Sequence, residues 1–233
     1  MEDMHIHLKE AIYNQELFNK YLIKCIDTGI EKAVFLDHGN RISLKHKPVL
    51  FTKYAVEQLN ERLEEFKKSE FSTKIKILKG IEIDYSNNLE FRKETFNILE
   101  YGNFEWIVGA IHSMKFDNYG QYLETILDML NNYNINVIAH IKKSEEYKKY
   151  SNIFNKILSM CNEKNVLIEI NTSDRSRWSD EQLYFMLNLM YKYNVNFVYS
   201  SDAHKCEDIG YMIKETKDKV EKWNVERSLQ KTR

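Results

Sequence analysis

Short segments rich in β-branched and apolar residues alternate with amphipathic segments along this whole chain, seven times over. The extended segments fall at residues 4–7, 33–38, 75–84, 106–113, 136–141, 166–172 and 197–202. Between them apolar residues recur at helical spacing, as in Leu17, Tyr21, Leu22, Cys25 and Ile26, or Leu183, Met186, Leu187 and Met190. A strand followed by a helix, repeated, is the signature of a parallel sheet, because each crossover helix returns the chain to start the next strand in the same direction. Seven such units in 233 residues suit a distorted seven-stranded parallel (β/α)7 barrel of the TIM-barrel type. No stretch rich in Pro, Gly or Ser divides the pattern, so one barrel domain over residues 1–233 is expected.

Charge narrows the partners. Lys and Arg number 34 against 35 Asp and Glu, a formal net charge of -1, so no overall field favours nucleic acid or a membrane surface. No apolar run is long enough to span a bilayer, and the first residues lack the basic and apolar segments of a signal peptide, so a cytoplasmic location is expected. Cys25, Cys161 and Cys206 are odd in number and far apart, matching no zinc-ribbon or redox spacing. The charge-rich stretches 142–149 and 214–222 read as solvated loops or helix faces.

The histidines are placed less evenly. Six of the seven lie at or just beyond the end of an expected strand: His5 and His7 on the first, His38 on the second, His112 on the fourth, His140 on the fifth and His204 on the seventh. His46, in the loop after the second strand, is the exception. Glu82, Glu169 and Asp202 occupy strand ends as well. In a parallel barrel these ends converge on one mouth, so residues distant in sequence meet there. Side chains alternate along a strand, which sets His5 and His7 on one face, with Asp3 beside them as a supporting carboxylate, and Asp202 with His204 on another strand. Imidazoles and carboxylates in this number exceed what one tetrahedral ion needs, and two or three divalent ions (Zn, Mn or Fe) are expected.

In order along the chain, DMHIH, FLDHGNR, KGIEID, VGAIHSM, IAHI, IEINTS and SSDAHKCEDIG resemble the motifs of the PHP (polymerase and histidinol phosphatase) superfamily, in its monofunctional histidinol-phosphatase branch. The resemblance implies a distorted seven-stranded βα barrel with a multinuclear metal centre. It implies that His5, His7, Glu82 and Asp202 hold one ion, that Glu82 bridges to a second held by His112 and His140, and that His38 and His204 hold a third. The chain departs from the branch just after His-x-His, where Lys9 stands in place of an expected acidic ligand and Glu10 is the substitute candidate.

The implied reaction is hydrolysis of a small phosphate monoester, L-histidinol phosphate above all. The ions would generate a hydroxide nucleophile, and Asp202 or His204 would handle a proton near the leaving group. A phosphate also calls for a planar guanidinium, and Arg41, Arg175 and Arg177 lie in expected mouth loops, with Ser113 and Asn171 as further polar contacts. Other phosphoesters (a nucleotide, a sugar phosphate, phosphotyrosine) and a metal-binding, non-catalytic barrel are the competing readings. An amidohydrolase would carry a lysine on a middle strand where this chain has Glu82, and a nuclease would need a basic balance that this chain lacks.

Overall fold

A computed structural model describes residues 1–41, 49–50, 52–112 and 114–231. Seven parallel strands form one sheet in sequential order: β1 (Glu2–His7), β2 (Lys32–Leu36), β3 (Lys76–Asp84), β4 (Trp106–Ala110), β5 (Val137–Ile138), β6 (Leu167–Asn171) and β7 (Phe197–Ser200). The helices that return the chain are α1 (Gln15–Asp27), α2 (Lys53–Lys68), α3 (Leu89–Gly102), α4 (Tyr119–Asn132), α5 (Ser151–Lys164), α6 (Asp180–Tyr193) and α7 (Ile213–Lys231). The sheet curls until β7 meets β1: Ile6 pairs with Ala203 just past β7, and the His7 amide donates to the Ala203 carbonyl at 2.8 Å. The expected seven-stranded barrel is therefore present. Asn40–Arg41 also pair antiparallel with Val49–Leu50 after β2, which periodicity did not signal.

Local chemistry sets the helix ends. Asn14, Thr52, Asn88, Asn118 and Ser179 each accept a backbone N–H of the first turn of α1, α2, α3, α4 and α6, offsetting donors that the helix leaves unpaired. Asn103, Asn165 and Asn194 close α3, α5 and α6 in the left-handed conformation, which asparagine tolerates better than most side chains.

Met4, Val34, Leu36, Val108, Ala110, Val137 and Ala139 fill the barrel interior, while two larger apolar clusters pack the outer sheet face against the helices. Gly80 lies on the inner face two residues before Glu82, where an added Cβ would stand 2.4 Å from Val34 Cγ1. The interior thus closes beneath the mouth.

Two features of the strands depart from simple alternation. First, β1 is bulged: Asp3 pairs with Ala33 and Ile6 with Phe35, so Met4 and His5 together oppose one residue of β2. Met4 then fills the interior, and His5 and His7 both reach the mouth. Asp3, expected on the face of His5 and His7, instead stands beside Ala33. Its carboxylate accepts from Ser201 N at 2.9 Å, Ser201 Oγ at 2.5 Å and Gly210 N at 3.0 Å. It seals the seam between β1 and β7 and does not support the imidazoles.

Second, β2, β4 and β5 end before their histidines. The His112 amide donates to Asp84 Oδ1 at 2.7 Å, the His140 amide to Glu169 Oε2 at 2.5 Å and the His38 amide to Asp37 Oδ1 at 2.8 Å. Each amide that would extend a ladder is taken by a carboxylate, which is why the expected strand at 136–141 is regular only at Val137–Ile138.

Candidate metal centre

Strand pairing delivers the ligand-type side chains. Beyond β2 the chain continues alongside β3, with Gly39 N donating to the Glu82 carbonyl at 2.7 Å, and this sets His38 against Glu82. The β1–β7 seam sets Asp202 and His204 against His5 and His7. His5, His7 and Glu82 are at most 1% exposed and His38 is 7% exposed.

Glu82 is the centre of the arrangement. Its Oε2 lies 2.7 Å from His38 Nδ1, 3.4 Å from His7 Nε2 and 3.7 Å from His5 Nε2. Its Oε1 lies 2.9 Å from His140 Nε2 and 3.4 Å from His112 Nε2. Asp202 Oδ1 is 3.4 Å from His7 Nε2 and 3.7 Å from His5 Nε2. The groups His5–His7–Asp202, His7–His38–His204 and His38–Glu82–His112 each bring their ligand atoms within 4.8 Å of one another. The sequence expectation thus converges on eight residues: His5, His7, His38, Glu82, His112, His140, Asp202 and His204.

Supporting carboxylates fix the imidazole tautomers. An ionised carboxylate only accepts, so His5 Nδ1, 2.8 Å from Glu169 Oε1, carries the proton, as does His7 Nδ1 at 3.5 Å from Asp37 Oδ1. His204 Nδ1 donates to the Asp202 carbonyl at 2.9 Å. His5 Nε2 and His7 Nε2 therefore face each other across 3.0 Å, an arrangement that calls for a proton or a metal ion between them. Glu82 Oε2 is buried among three imidazole nitrogens, the nearest being His38 Nδ1 at 2.7 Å. Ligand atoms about 2.0–2.1 Å from a tetrahedral zinc stand roughly 3.3 Å apart, and the spacings here bracket that value.

The electrostatics agree. Burial penalises the charged form of Glu82, yet His112, His38, His5 and the hydrogen bond from His140 hold its carboxyl well below the usual range. Asp202 is likewise lowered against its burial by His5, His7 and His140. Burial pulls His5 down, but Glu169, Glu82 and Asp202 raise it well above an ordinary imidazole, and His140 rises against its burial to about 9 through Glu82. His204, half-buried beside His7, falls to about 4. Buried carboxylates thus demand positive charge among the imidazoles.

Two members of the ligand set adopt left-handed backbone, His140 at φ 25° and Asp202 at φ 52°. Strain of this kind persists where the surroundings over-determine the conformation.

A cavity of about 410 Å³ opens over the cluster, lined by His38, Glu82, His112, His140, Asp202 and His204 and also by Lys142, Lys143 and Arg175. A neighbouring cavity of about 440 Å³ shares Arg175, Asp202 and His204 and adds Lys9 and Lys205. Among the expected arginines, Arg175 reaches the mouth. Arg177 does not: it lies 3.5 Å from Asp174 and lines a separate cavity with Trp178 and Lys219. Glu10 is exposed on a 3-10 turn (Lys9–Ile12) whose buried side is Ala11 and Ile12, and it enters none of the ligand groups among the described residues. Asn171 Nδ2 donates to Glu169 Oε2 at 3.1 Å and to Asp202 Oδ2 at 3.3 Å. Ser113, His46 and the Arg41 side chain lie outside the described residues.

Asp37 and Asp84 were not singled out by sequence reasoning. The signal was local in each case: Asp37 precedes a strand-end histidine, and Asp84 follows Glu82 by two, on the same strand face. Lys142 and Lys143, read from sequence as part of a solvated run, are exposed yet line the mouth.

Fold and site together define a parallel βα barrel with a metal-type ligand cluster at the C-terminal ends of its strands. The chain belongs to the PHP domain family, whose model matches residues 3–173. A histidinol-phosphatase of Lactococcus lactis is 25% identical over 223 residues, covering 82% of this chain and 78% of the relative. The crystal structure of the histidinol phosphate phosphatase of the same bacterium, complexed with zinc, L-histidinol and phosphate, superposes with TM-score 0.75 at 20% identity, covering 95% of this chain and 92% of that one. A structure from Listeria monocytogenes gives TM-score 0.69 at 15% identity over 91% of this chain and 98% of that one. No described helix is long and apolar enough to cross a membrane.

Proposed function

We propose that this chain is a metal-dependent phosphatase that hydrolyses L-histidinol phosphate to L-histidinol and phosphate in the cytoplasm, as one barrel domain. The observation that carries the reading is the bridging position of Glu82, one carboxylate oxygen facing His5, His7 and His38 and the other facing His112 and His140. The relation to a Lactococcus lactis histidinol-phosphatase supports the substrate.

In this reading His5, His7, Asp202 and Glu82 hold one divalent ion, and Glu82, His112 and His140 hold a second. His38 and His204 remain for a third. Zinc, named with the Lactococcus lactis structure, heads the candidates, before manganese and iron. Bound ions supply Lewis acidity toward the phosphoryl oxygens and lower the pKa of water. The chain's own residues do the rest. Glu169 and Asp37 keep His5 and His7 presenting lone pairs inward. Arg175 and Lys143 line the cavity where the phosphoryl charge must sit. His204 stands beside Asp202, with Nδ1 committed to the Asp202 carbonyl. If His204 is not engaged as a ligand, its Nε2 is left to handle a proton near the leaving oxygen.

The test is elemental analysis of the purified protein followed by phosphate release from histidinol phosphate and from an aryl phosphate. Two or three ions per chain and preference for histidinol phosphate are expected. Release from the aryl ester alone would move the reading to another phosphoester, and release from neither would end it.

A further inference from the structure

Left-handed backbone at a residue other than glycine costs roughly 1–2 kcal/mol, least for asparagine and aspartate. Where this chain needs that conformation for a helix end or a turn it uses Asn103, Asn165, Asn194, Gly29 and Gly210. Four other described residues adopt it: Lys9 at φ 48°, His140, Asp202 and Met212. Two of those, His140 and Asp202, are in the metal-type cluster, where the side chain justifies the strain. Lys9 is a third residue at the mouth in that conformation, where an asparagine or glycine would suit the backbone better.

The Lys9 backbone is pinned by its own N–H, which donates to Asp37 Oδ2 at 3.0 Å. The same Asp37 orients His7 through Oδ1. The half-buried side chain lines the 440 Å³ cavity together with Arg175, Asp202, His204 and Lys205. Among the described residues Lys9, Arg175 and Lys205 make no ion pair, whereas Arg177 at 3.5 Å from Asp174 and Lys219 at 2.7 Å from Asp180 do. The same cavity is lined by Asp208 and by Asp174, which is engaged by Arg177 and by the Tyr211 hydroxyl, so Lys9, Arg175 and Lys205 are the groups there that can receive an anion beside the ligand cluster.

We propose that Lys9 is an anion-binding residue of this site and that its ammonium, with Arg175 and Lys205, receives the non-bridging oxygens of a phosphoryl group. That group is carried in by the substrate or is the phosphate left after hydrolysis. The inference rests on the phosphatase reading for its ligand but not for its test. Lys9 replaces the acidic ligand that the motif resemblance leads one to expect, so the chain places a fixed positive charge on the protein where that resemblance implies another metal contact.

Inorganic phosphate binding to the zinc-loaded protein, measured by calorimetry without turnover, tests it. Lys9→Gln is expected to weaken phosphate binding on the order of tenfold or more, the range for a hydrogen bond to a charged group. Lys9→Arg should retain most of the affinity, and metal content should stay that of the parent in both. With histidinol phosphate, Lys9→Gln should raise KM and weaken product inhibition by phosphate together if the group is shared by substrate and product. A rise in KM with product inhibition unchanged assigns Lys9 to the bound ester. Unchanged phosphate affinity and unchanged KM in Lys9→Gln overturn the proposal, as does a loss of bound metal that accounts for the weaker binding. Lys9-dependent phosphate binding without histidinol phosphate turnover would defeat the substrate assignment and leave the anion site standing.

Discussion

The two ends of the barrel hold buried charge in opposite ways. At the N-terminal end a cavity of about 800 Å³, nearly twice the volume at the mouth, is lined by residues such as Lys67, Lys76, Lys79 and Glu105. The buried Lys79 there is internally satisfied: its ammonium donates to Asn60 Oδ1 at 2.9 Å and to the Gly102 carbonyl, and it lies 5.2 Å from the Phe104 ring centre. At the C-terminal mouth His112 Nδ1 is buried without a hydrogen bond, and imidazole nitrogens converge on one another and on the buried Glu82 carboxylate. Volume therefore does not mark the functional end. The imidazoles and carboxylates gathered against one another do, because burying ionisable groups costs free energy that a bound cation can offset.

That contrast can be broken in four ways, taken from the largest effect to the smallest. Glu82→Gln removes the bridging charge, and we expect phosphatase activity to fall at least about a thousandfold with loss of bound metal. Its apo form should melt below the parent's apo form at neutral pH, because a carboxyl held well below its usual range contributes stability that the amide lacks. A metal-replete Glu82→Gln enzyme with parental turnover would contradict the site. Glu169→Gln keeps the shape but puts an amide against His5 Nδ1, and metal affinity should drop roughly 10–100-fold by competition with a chelating dye. An unchanged affinity would show that His5 needs no such partner.

Asp3→Ala belongs to the seam and not to the ligand set. Denaturant unfolding should show about 3 kcal/mol lost, since Ser201 and Gly210 are left with unpaired donors. Turnover per folded molecule should suffer less than in either mouth variant. At the opposite end, Lys79→Met should cost about 1–2 kcal/mol through its lost hydrogen bonds. Metal content and turnover should stay those of the parent, and a fall in either would erase the distinction between the two ends.

What was legible in the sequence follows from periodicity. Seven strands and the helices between them are repeating patterns, and the six strand-end histidines became one site as soon as a parallel barrel was inferred. Glu82 and Asp202 came with them for the same reason. The rest depends on single-residue events that no period encodes. One bulged residue in β1 separates Asp3 from His5 and His7. Asp84 and Glu169 bind amides 28 and 29 residues away, so their part in ending the neighbouring strands shows only once register is known. Arg175 and Arg177 are two apart in one loop, and its course turns one to the mouth and the other to Asp174.

The central claim is that the converging imidazoles and carboxylates exist to hold metal for phosphate ester hydrolysis. Its most direct test is phosphate release from histidinol phosphate by the purified protein before chelation, after chelation, and after zinc or manganese is returned. We predict release that chelation abolishes and metal restores. Release that survives complete removal of metal would contradict the account.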